Sequence, residues 1–251
     1  PLGVNGPPVN GAPVGAMSKK YDVIVLGATG YTGKLVCEYF QKRAKETAQS
    51  WAVAGRREKA LEAVAAQYGA GGILLCDCLK PEDCASLAEA CTTVCNIAGP
   101  YFGRAEAIVE ACANVGTHYL DLTGELIFVR GLIDSFHETA ISSGAKIVPI
   151  AGYEALPFDL MNLALFNFYI GEYGEGPTKI DLLARTDQMP EGSRGLNQMI
   201  SGGTAETIRT MLEKDFSGLS SDPTALNSED DPDREVIRKT MAYRFRPKKG
   251  D

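Results

Sequence analysis

The segment GATGYTG, from Gly27 to Gly33, sets glycines at positions 27, 30 and 33. It follows the apolar run YDVIVL and precedes a stretch in which Leu35, Val36, Tyr39 and Phe40 recur at helical spacing. Three mechanical tasks need a residue without a Cβ here: turning tightly from strand to helix, letting backbone close on a pyrophosphate, and packing the helix near the strand. The helix start adds free N–H groups and the positive end of a dipole. Strand, turn and helix in this order suit dinucleotide binding, with Gly27, Ala28, Thr29, Gly30, Tyr31, Thr32 and Gly33 forming the turn against the phosphates.

Which dinucleotide depends on the end of the next strand, where NAD-binding folds place a carboxylate for the ribose hydroxyl about 20 residues on. Here the chain reads AGRREK, with Arg56, Arg57 and Lys59. A guanidinium fork grips a phosphate in bidentate fashion, so the pair favours NADP over NAD. The competing reading is a solvated helix start, although cations oppose the dipole at that end of a helix. Asp77, past the third apolar run, either caps the segment near Pro81 or accepts a hydrogen bond from the adenine amino group.

Two polar clusters follow. NIAGPYFG places Asn96, Ala98, Gly99, Pro100 and Tyr101 after the fourth strand, beside the nicotinamide half of a bound cofactor; Tyr101 faces substrate or covers the core edge. THYLDLTGE supplies His118, Tyr119, Asp121, Thr123 and Glu125 at the exit of the fifth strand. Tyr101, Asp121 and Glu125 are the candidates for proton exchange, against the alternative that Asp121 or Thr123 caps the following helix. His137 sits on a surface helix. The seven cysteines lack paired C-x-x-C knuckles, so no metal is expected. Cys84, Leu87, Ala88 and Cys91 form a helical core stripe, and Cys112 follows Ile108 and Val109 on another.

These residues must be positioned by regular elements, and the chain has the material. Its 251 residues are 45% hydrophobic and 23% charged, an ordinary globular balance. The net charge of −7 disfavours nucleic acid, whose affinity is carried by Lys and Arg. Short β-rich runs alternate with amphipathic segments: strands are expected at 21–27, 50–55, 72–76, 93–99, 118–122 and 146–150. Between them, Leu61, Val64, Ala65 and Tyr68 form one helical stripe, and Val129, Leu132, Ile133, Phe136 and Ala140 another. The expected architecture is α/β: a doubly wound parallel sheet over 17–151, a Rossmann dinucleotide-binding domain, followed by an incomplete α+β substrate domain.

That second unit is expected over 152–221, with a helix from Phe158 to Tyr169, a strand from Ile180 to Arg185 and a helix through Ile208, Met211 and Leu212. Residues 1–16, with four Pro and four Gly, read as a disordered leader before Met17. Residues 222–251 read as a solvated acidic loop, 222–235, then a basic tail that either stays in solvent or rests on an anionic membrane surface. The most apolar stretch, Leu160 to Ile170, is 11 residues long, short of the roughly 20 that span a bilayer. The odd number of cysteines and the absence of a secretory signal suit a reducing, cytoplasmic setting.

GATGYTG, WAVAGRREKAL, NIAGPYFGRAEAIVEACANVGTHYLDLTGE and VPIAGYEALPFDL, in that order, resemble the saccharopine dehydrogenase-like oxidoreductases, a group that includes trans-acting enoyl reductases. The resemblance runs from about Tyr21 to Leu212. It implies a Rossmann domain using NADP(H), with Gly27 to Gly33 at the pyrophosphate, Arg56 at the adenosine phosphate and Asn96 to Tyr101 near the nicotinamide. It also implies an NADPH-dependent hydride transfer to a lipid-type enoyl substrate in lipid or glycolipid metabolism. An imine reduction of the saccharopine type and a non-catalytic nucleotide-binding scaffold are the alternatives. A lipid-droplet or membrane surface and a homodimer are the partners it leaves open. The chain departs from the family at Gly152 to Pro157, where GYEALP stands for the usual GFDSIP, so that Glu154 and Ala155 replace an Asp and a Ser. Family members also continue well past the length of this chain, so a truncated substrate domain is expected.

Overall fold

Apolar runs rich in Val, Ile and Ala form six strands in the computed structural model of the chain, each followed by a helix. The structure describes residues 19–153 and 155–182, and, further on, residues 222, 224–228, 230–232 and 234–237. In chain order the elements are β1 (Tyr21–Leu26), α1 (Tyr31–Thr47), β2 (Trp51–Gly55), α2 (Glu58–Tyr68), β3 (Ile73–Leu75), α3 (Pro81–Ala90), β4 (Cys91–Asn96), α4 (Glu106–Val115), β5 (His118–Asp121), α5 (Leu126–Ser143), β6 (Ile147–Val148) and α6 (Leu156–Tyr173).

The strands make one sheet in the order β3-β2-β1-β4-β5-β6, every neighbouring pair parallel. This is the doubly wound Rossmann arrangement: the chain winds outward through β2 and β3, then crosses back to β4 beside β1. The register pairs Leu26 with Asn96. The carboxyl ends of β1 and β4 therefore lie side by side where the order reverses, and a crevice opens beyond them.

Alternation along β1 and β2 divides the core into two layers, because successive side chains leave opposite faces of a strand. Val25, Trp51 and Val53 pack with Cys37, Leu61 and Val64 under α1 and α2. Ile24, Leu26, Ala52 and Ala54 pack on the opposite side with Leu87, Ile108, Val109 and Phe128 from α3, α4 and α5. Phe40 of α1 stacks on Trp51, ring centroids 5.7 Å apart.

The elements differ from expectation at several places. In α1 the inward face is Val36, Cys37 and Phe40, while Leu35 and Tyr39 are exposed. Cys91 is buried as expected, yet it ends the helical stripe and opens β4, two residues earlier than predicted. The strand β6 is only two residues long. Ile180–Leu182 carry no regular structure, and the rest of the predicted strand, the helix through Leu212 and residues 238–251 of the basic tail lie outside the described residues.

The acidic segment expected to be solvated instead reaches the core. Thr224 and Ala225 are buried, and Leu226 packs against the α3–α5 layer. Arg130 of α5 fastens it there, donating from Nη1 to the carbonyl oxygens of Leu226 (3.4 Å) and Asn227 (3.2 Å). The acidic residues gave a solvent signal, but the short run TALN between them carries the packing surface.

Candidate functional site

At the carboxyl end of β1 the backbone turns through Gly27, whose φ is +86°. A Cβ on Gly27 would come 2.8 Å from the Ala98 nitrogen, and one on Gly33 would strike the Gly27 carbonyl oxygen. These two glycines let the turn, the β4 exit loop and α1 approach closely enough to leave backbone, not side chains, at the crevice. No side chain caps α1 at Gly30, and no acidic residue occupies its first turn. The positive end of the helix is thus left for an anion from outside.

Around this turn lies a cavity of about 430 Å³. One wall is the glycine turn itself, including Thr29, Tyr31 and Thr32; the second is the β2 exit, with Gly55, Arg56 and Arg57. The third is the β3 exit, from Cys76 to Leu79, and the fourth is Ile97, Ala98 and Gly99 after β4, with Arg104 beyond. Carboxyl ends of four strands therefore meet at one opening, as a doubly wound sheet requires of its ligand site. Arg57 leans across it, donating from Nη2 to Thr29 Oγ1 at 3.2 Å. Asp77 is in the wall, with Oδ1 accepting from the Leu79 amide at 3.2 Å. It does not cap α3, whose N-cap is Lys80; Asp83 reaches back instead and accepts from the Asp77 amide.

Of the other residues singled out in the sequence, Ala28, Asn96 and Tyr101 are buried behind the cavity wall. Pro100 follows a cis peptide from Gly99 and is outside the lining. Asn96 instead builds a polar network under the floor. Its Oδ1 accepts from the Ala98 amide at 2.9 Å, and its Nδ2 donates to the Tyr119 hydroxyl at 3.1 Å. Tyr119 donates onward to Asp121 Oδ2 at 2.8 Å. Asp121 Oδ1 then accepts from the amides of Thr123 and Ile150, at 2.9 and 3.1 Å.

The three candidates for proton exchange all belong to this framework. Glu125 accepts from the Tyr101 and Phe102 amides at 3.1 and 2.8 Å, clamping the loop after β4. The Tyr101 hydroxyl donates to the Asn96 carbonyl at 3.3 Å. Burial raises the Tyr101 and Tyr119 hydroxyls above the usual phenol range, and raises Asp121 above the usual carboxylate range against the hydrogen bonds it accepts. The structure gives these groups a positioning geometry. His118 opens β5, at the amino ends of the strands and so away from the crevice beyond their carboxyl ends, and its Nδ1 accepts from the Lys146 amide at 3.1 Å. His137 is exposed on α5, as its neighbours suggested.

The cavity also contains Leu79 and Arg104, which the sequence pattern did not single out, and Cys76 and Cys78, which it assigned to core packing. Arg104 lies in the run GRAE before α4, where only its charge and its nearness to the β4 exit could have flagged it. Cys84, Cys91 and Cys112 are buried in the core, and all seven cysteines are free thiols. Among the described residues no group of His, Cys, Asp and Glu could hold a metal ion.

Residues 23–148, from within β1 to the end of β6, match the family model described as the saccharopine dehydrogenase NADP binding domain. The chain belongs to this family. The glycine turn, Arg56 and Arg57 all fall within the matched residues. A protein of Mycobacterium tuberculosis (strain ATCC 25618 / H37Rv), named among the trans-acting enoyl reductases, is 34% identical over 221 residues, which is 86% of this chain and 49% of that protein. A trans-acting enoyl reductase of Mycobacterium leprae (strain TN) is 32% identical over 219 residues, 85% of this chain and 49% of that one. A solved structure of apo saccharopine dehydrogenase (L-Glu forming) from Saccharomyces cerevisiae aligns with a TM-score of 0.48 at 14% identity, over 61% of this chain and 31% of that chain. The chain thus spans about half the length of the curated relatives it matches. Among the described residues no helix is long and apolar enough to cross a membrane.

Proposed function

We propose that the cavity binds NADPH and that the domain is the cofactor-binding part of an oxidoreductase acting on a lipid-type enoyl substrate. The observation that carries the cofactor assignment is the pair Arg56 and Arg57 in the cavity wall, at the strand end where an NAD-selective fold has a carboxylate. The pyrophosphate fits the glycine turn and the uncapped start of α1. The adenosine 2′-phosphate fits the two guanidinium groups, and the adenine ring lies between them and Asp77 to Leu79. This leaves the nicotinamide toward Ile97, Ala98, Gly99 and Arg104. When bound, the cofactor supplies a hydride; the protein's part is to hold its reactive face and exclude competing reactions.

The names of the mycobacterial relatives support the enoyl class, in which a carbon–carbon double bond accepts the hydride. A second reading, cofactor binding without turnover, is favoured by the placement of Tyr101, Asp121 and Glu125, which are committed to buried backbone contacts instead of the cavity. Fluorescence titration of the purified chain with NADPH and NADH tests the cofactor assignment, with tighter binding of NADPH expected. Oxidation of bound NADPH by an α,β-unsaturated thioester supports the enoyl reading. Binding without oxidation across enoyl and imine substrates supports the second, and no binding of either coenzyme overturns both.

A further inference from the structure

A dinucleotide accounts for the overall shape of the cavity, but its third wall, at the β3 exit, also contains two thiols. Cys76 and Cys78 line it, Cys76 buried and Cys78 half-buried. Behind them Cys84, in the first turns of α3, is fully buried. Cys84 Sγ donates to the Cys78 carbonyl oxygen at 3.6 Å, so the three cysteines sit together at the β3 exit and the start of α3. That contact sets Cys84 beside Cys78 across the turn from β3 into α3. The arrangement is a cluster of three thiols opening on a cavity, where an isolated buried cysteine would be inert.

We propose that Cys76, Cys78 and Cys84 form a hydroperoxide-sensitive thiol site in the adenosine wall of the cavity, closing to a Cys78–Cys84 disulfide that weakens NADPH binding. The proposal rests on the reading that this cavity takes NADPH. Cys78 is the reacting thiol because it meets the opening, and the neighbouring Cys76 and Cys84 thiols hold it below the ordinary thiol range. Burial and the Asp77 charge oppose this, and the Arg56 charge adds to it. A thiolate in such surroundings is the nucleophile of redox chemistry.

In the first step the Cys78 sulfur attacks the outer oxygen of a hydroperoxide. The S–O bond forms, the O–O bond breaks, and the remaining alkoxide or hydroxide takes a proton to leave as alcohol or water, with Cys78 now a sulfenic acid. In the second, the Cys84 sulfur attacks the Cys78 sulfur; the S–S bond forms, the S–O bond breaks, and hydroxide leaves as water with the Cys84 proton. Two thiols have lost two electrons and two protons, and the hydroperoxide has been reduced by two electrons. Loss of the Cys78 charge in the first step removes an influence that raises the Cys84 thiol, which frees Cys84 for the second. The bridge draws the Cys76–Leu79 wall toward α3, away from the position that faces Arg56 and Arg57 across the cavity.

The test is treatment of the chain with hydrogen peroxide, followed by peptide mapping of the bridge and NADPH titration. Expected are a Cys78–Cys84 peptide lighter by two hydrogens and an NADPH Kd raised about tenfold, the loss of roughly one good contact, both reversed by a dithiol reductant. Cys84→Ser is expected to stop at a dimedone-reactive sulfenic acid on Cys78, and Cys78→Ser to resist both the bridge and the loss of affinity. Preloading with NADPH should slow alkylation of Cys78. A map without this bridge, or a bridge that leaves NADPH affinity unchanged, overturns the proposal. The map is read without any coenzyme, so a reduced chain that fails to bind NADPH condemns the cofactor reading separately from the thiol chemistry.

Discussion

Arg56 and Arg57 are exposed, and their value lies in what they leave unpaired: among the hydrogen bonds of the described residues, Arg57 donates to Thr29 and neither arginine has a carboxylate partner. A 2′-phosphate would supply that partner, and a hydrogen bond to a charged group is worth about 1.5–3 kcal/mol. Arg56→Ala combined with Arg57→Ala is therefore expected to weaken NADPH about 100-fold while changing NADH less than about threefold, read by fluorescence titration. Equal losses would remove the ground for preferring NADP. Gly33→Ala acts at the other side of the cavity. Its methyl group meets backbone at Gly27 and Ala28, which cannot rotate away, so α1 must shift and both coenzymes should lose affinity together. At this scale the sequence was legible where chemistry depends on backbone or formal charge. It was not legible where a side chain's direction decides. Tyr101, Asp121 and Glu125 had the right types beside the right strands, yet fold inward onto amides; Cys78 and Arg104 face the opening from segments without a motif.

The β4–α4 and β5–α5 connections form one unit because Asp121 and Glu125 satisfy amides on both of them and on the segment after β6. The cost is a buried carboxyl. Burial raises the folded Asp121 above its ordinary value of 3.8, so the folded state binds the proton more tightly than the unfolded chain does. The stability from this linkage is present in full below that ordinary value and is lost as pH rises through the raised folded one. The margin by which wild type exceeds Asp121→Asn in urea unfolding should accordingly be largest near pH 4 and shrink toward pH 7. A margin that grows with pH would contradict the burial assignment. A second element effect appears at α6. Ala155 is its N-cap and makes no side-chain hydrogen bond, at the position where the resembling family has Ser. Ala155→Ser is expected to stabilise the chain by about 1 kcal/mol, raising Tm by about 2–4 °C in calorimetry. Helix periodicity predicted α2 and α5 well because their apolar stripes are long. It failed at Cys91, because an i+7 position on a stripe and the first inward position of a following strand are the same apolar residue in sequence.

Stability in the whole molecule is concentrated in the sheet and its two layers, and the exposed apolar surface is concentrated at α6. Tyr119 and Phe128 are buried in the α3–α5 layer, whereas every residue of α6 except Phe158 is exposed, including Leu160, Leu163, Phe166 and Ile170 along its length. The composition could not distinguish these cases, since a helix that is apolar all round reads as core from sequence alone. The two populations should respond oppositely to mutation. Phe128→Ala removes a fully buried ring and is expected to cost about 3–5 kcal/mol of unfolding free energy. Leu163→Glu with Phe166→Glu removes surface that already faces water, so the urea midpoint should move by less than about 0.5 kcal/mol equivalent. The same pair should sharply reduce the fluorescence of a hydrophobic dye, because a contiguous apolar patch on α6 becomes charged. NADPH titration should be unchanged by it, because the cavity walls come from the ends of β1 to β4 and no residue of α6 contributes to them. A large fall in the urea midpoint for the double glutamate variant would show that α6 is packed, and would move it from the surface of the molecule into the core that holds the site together.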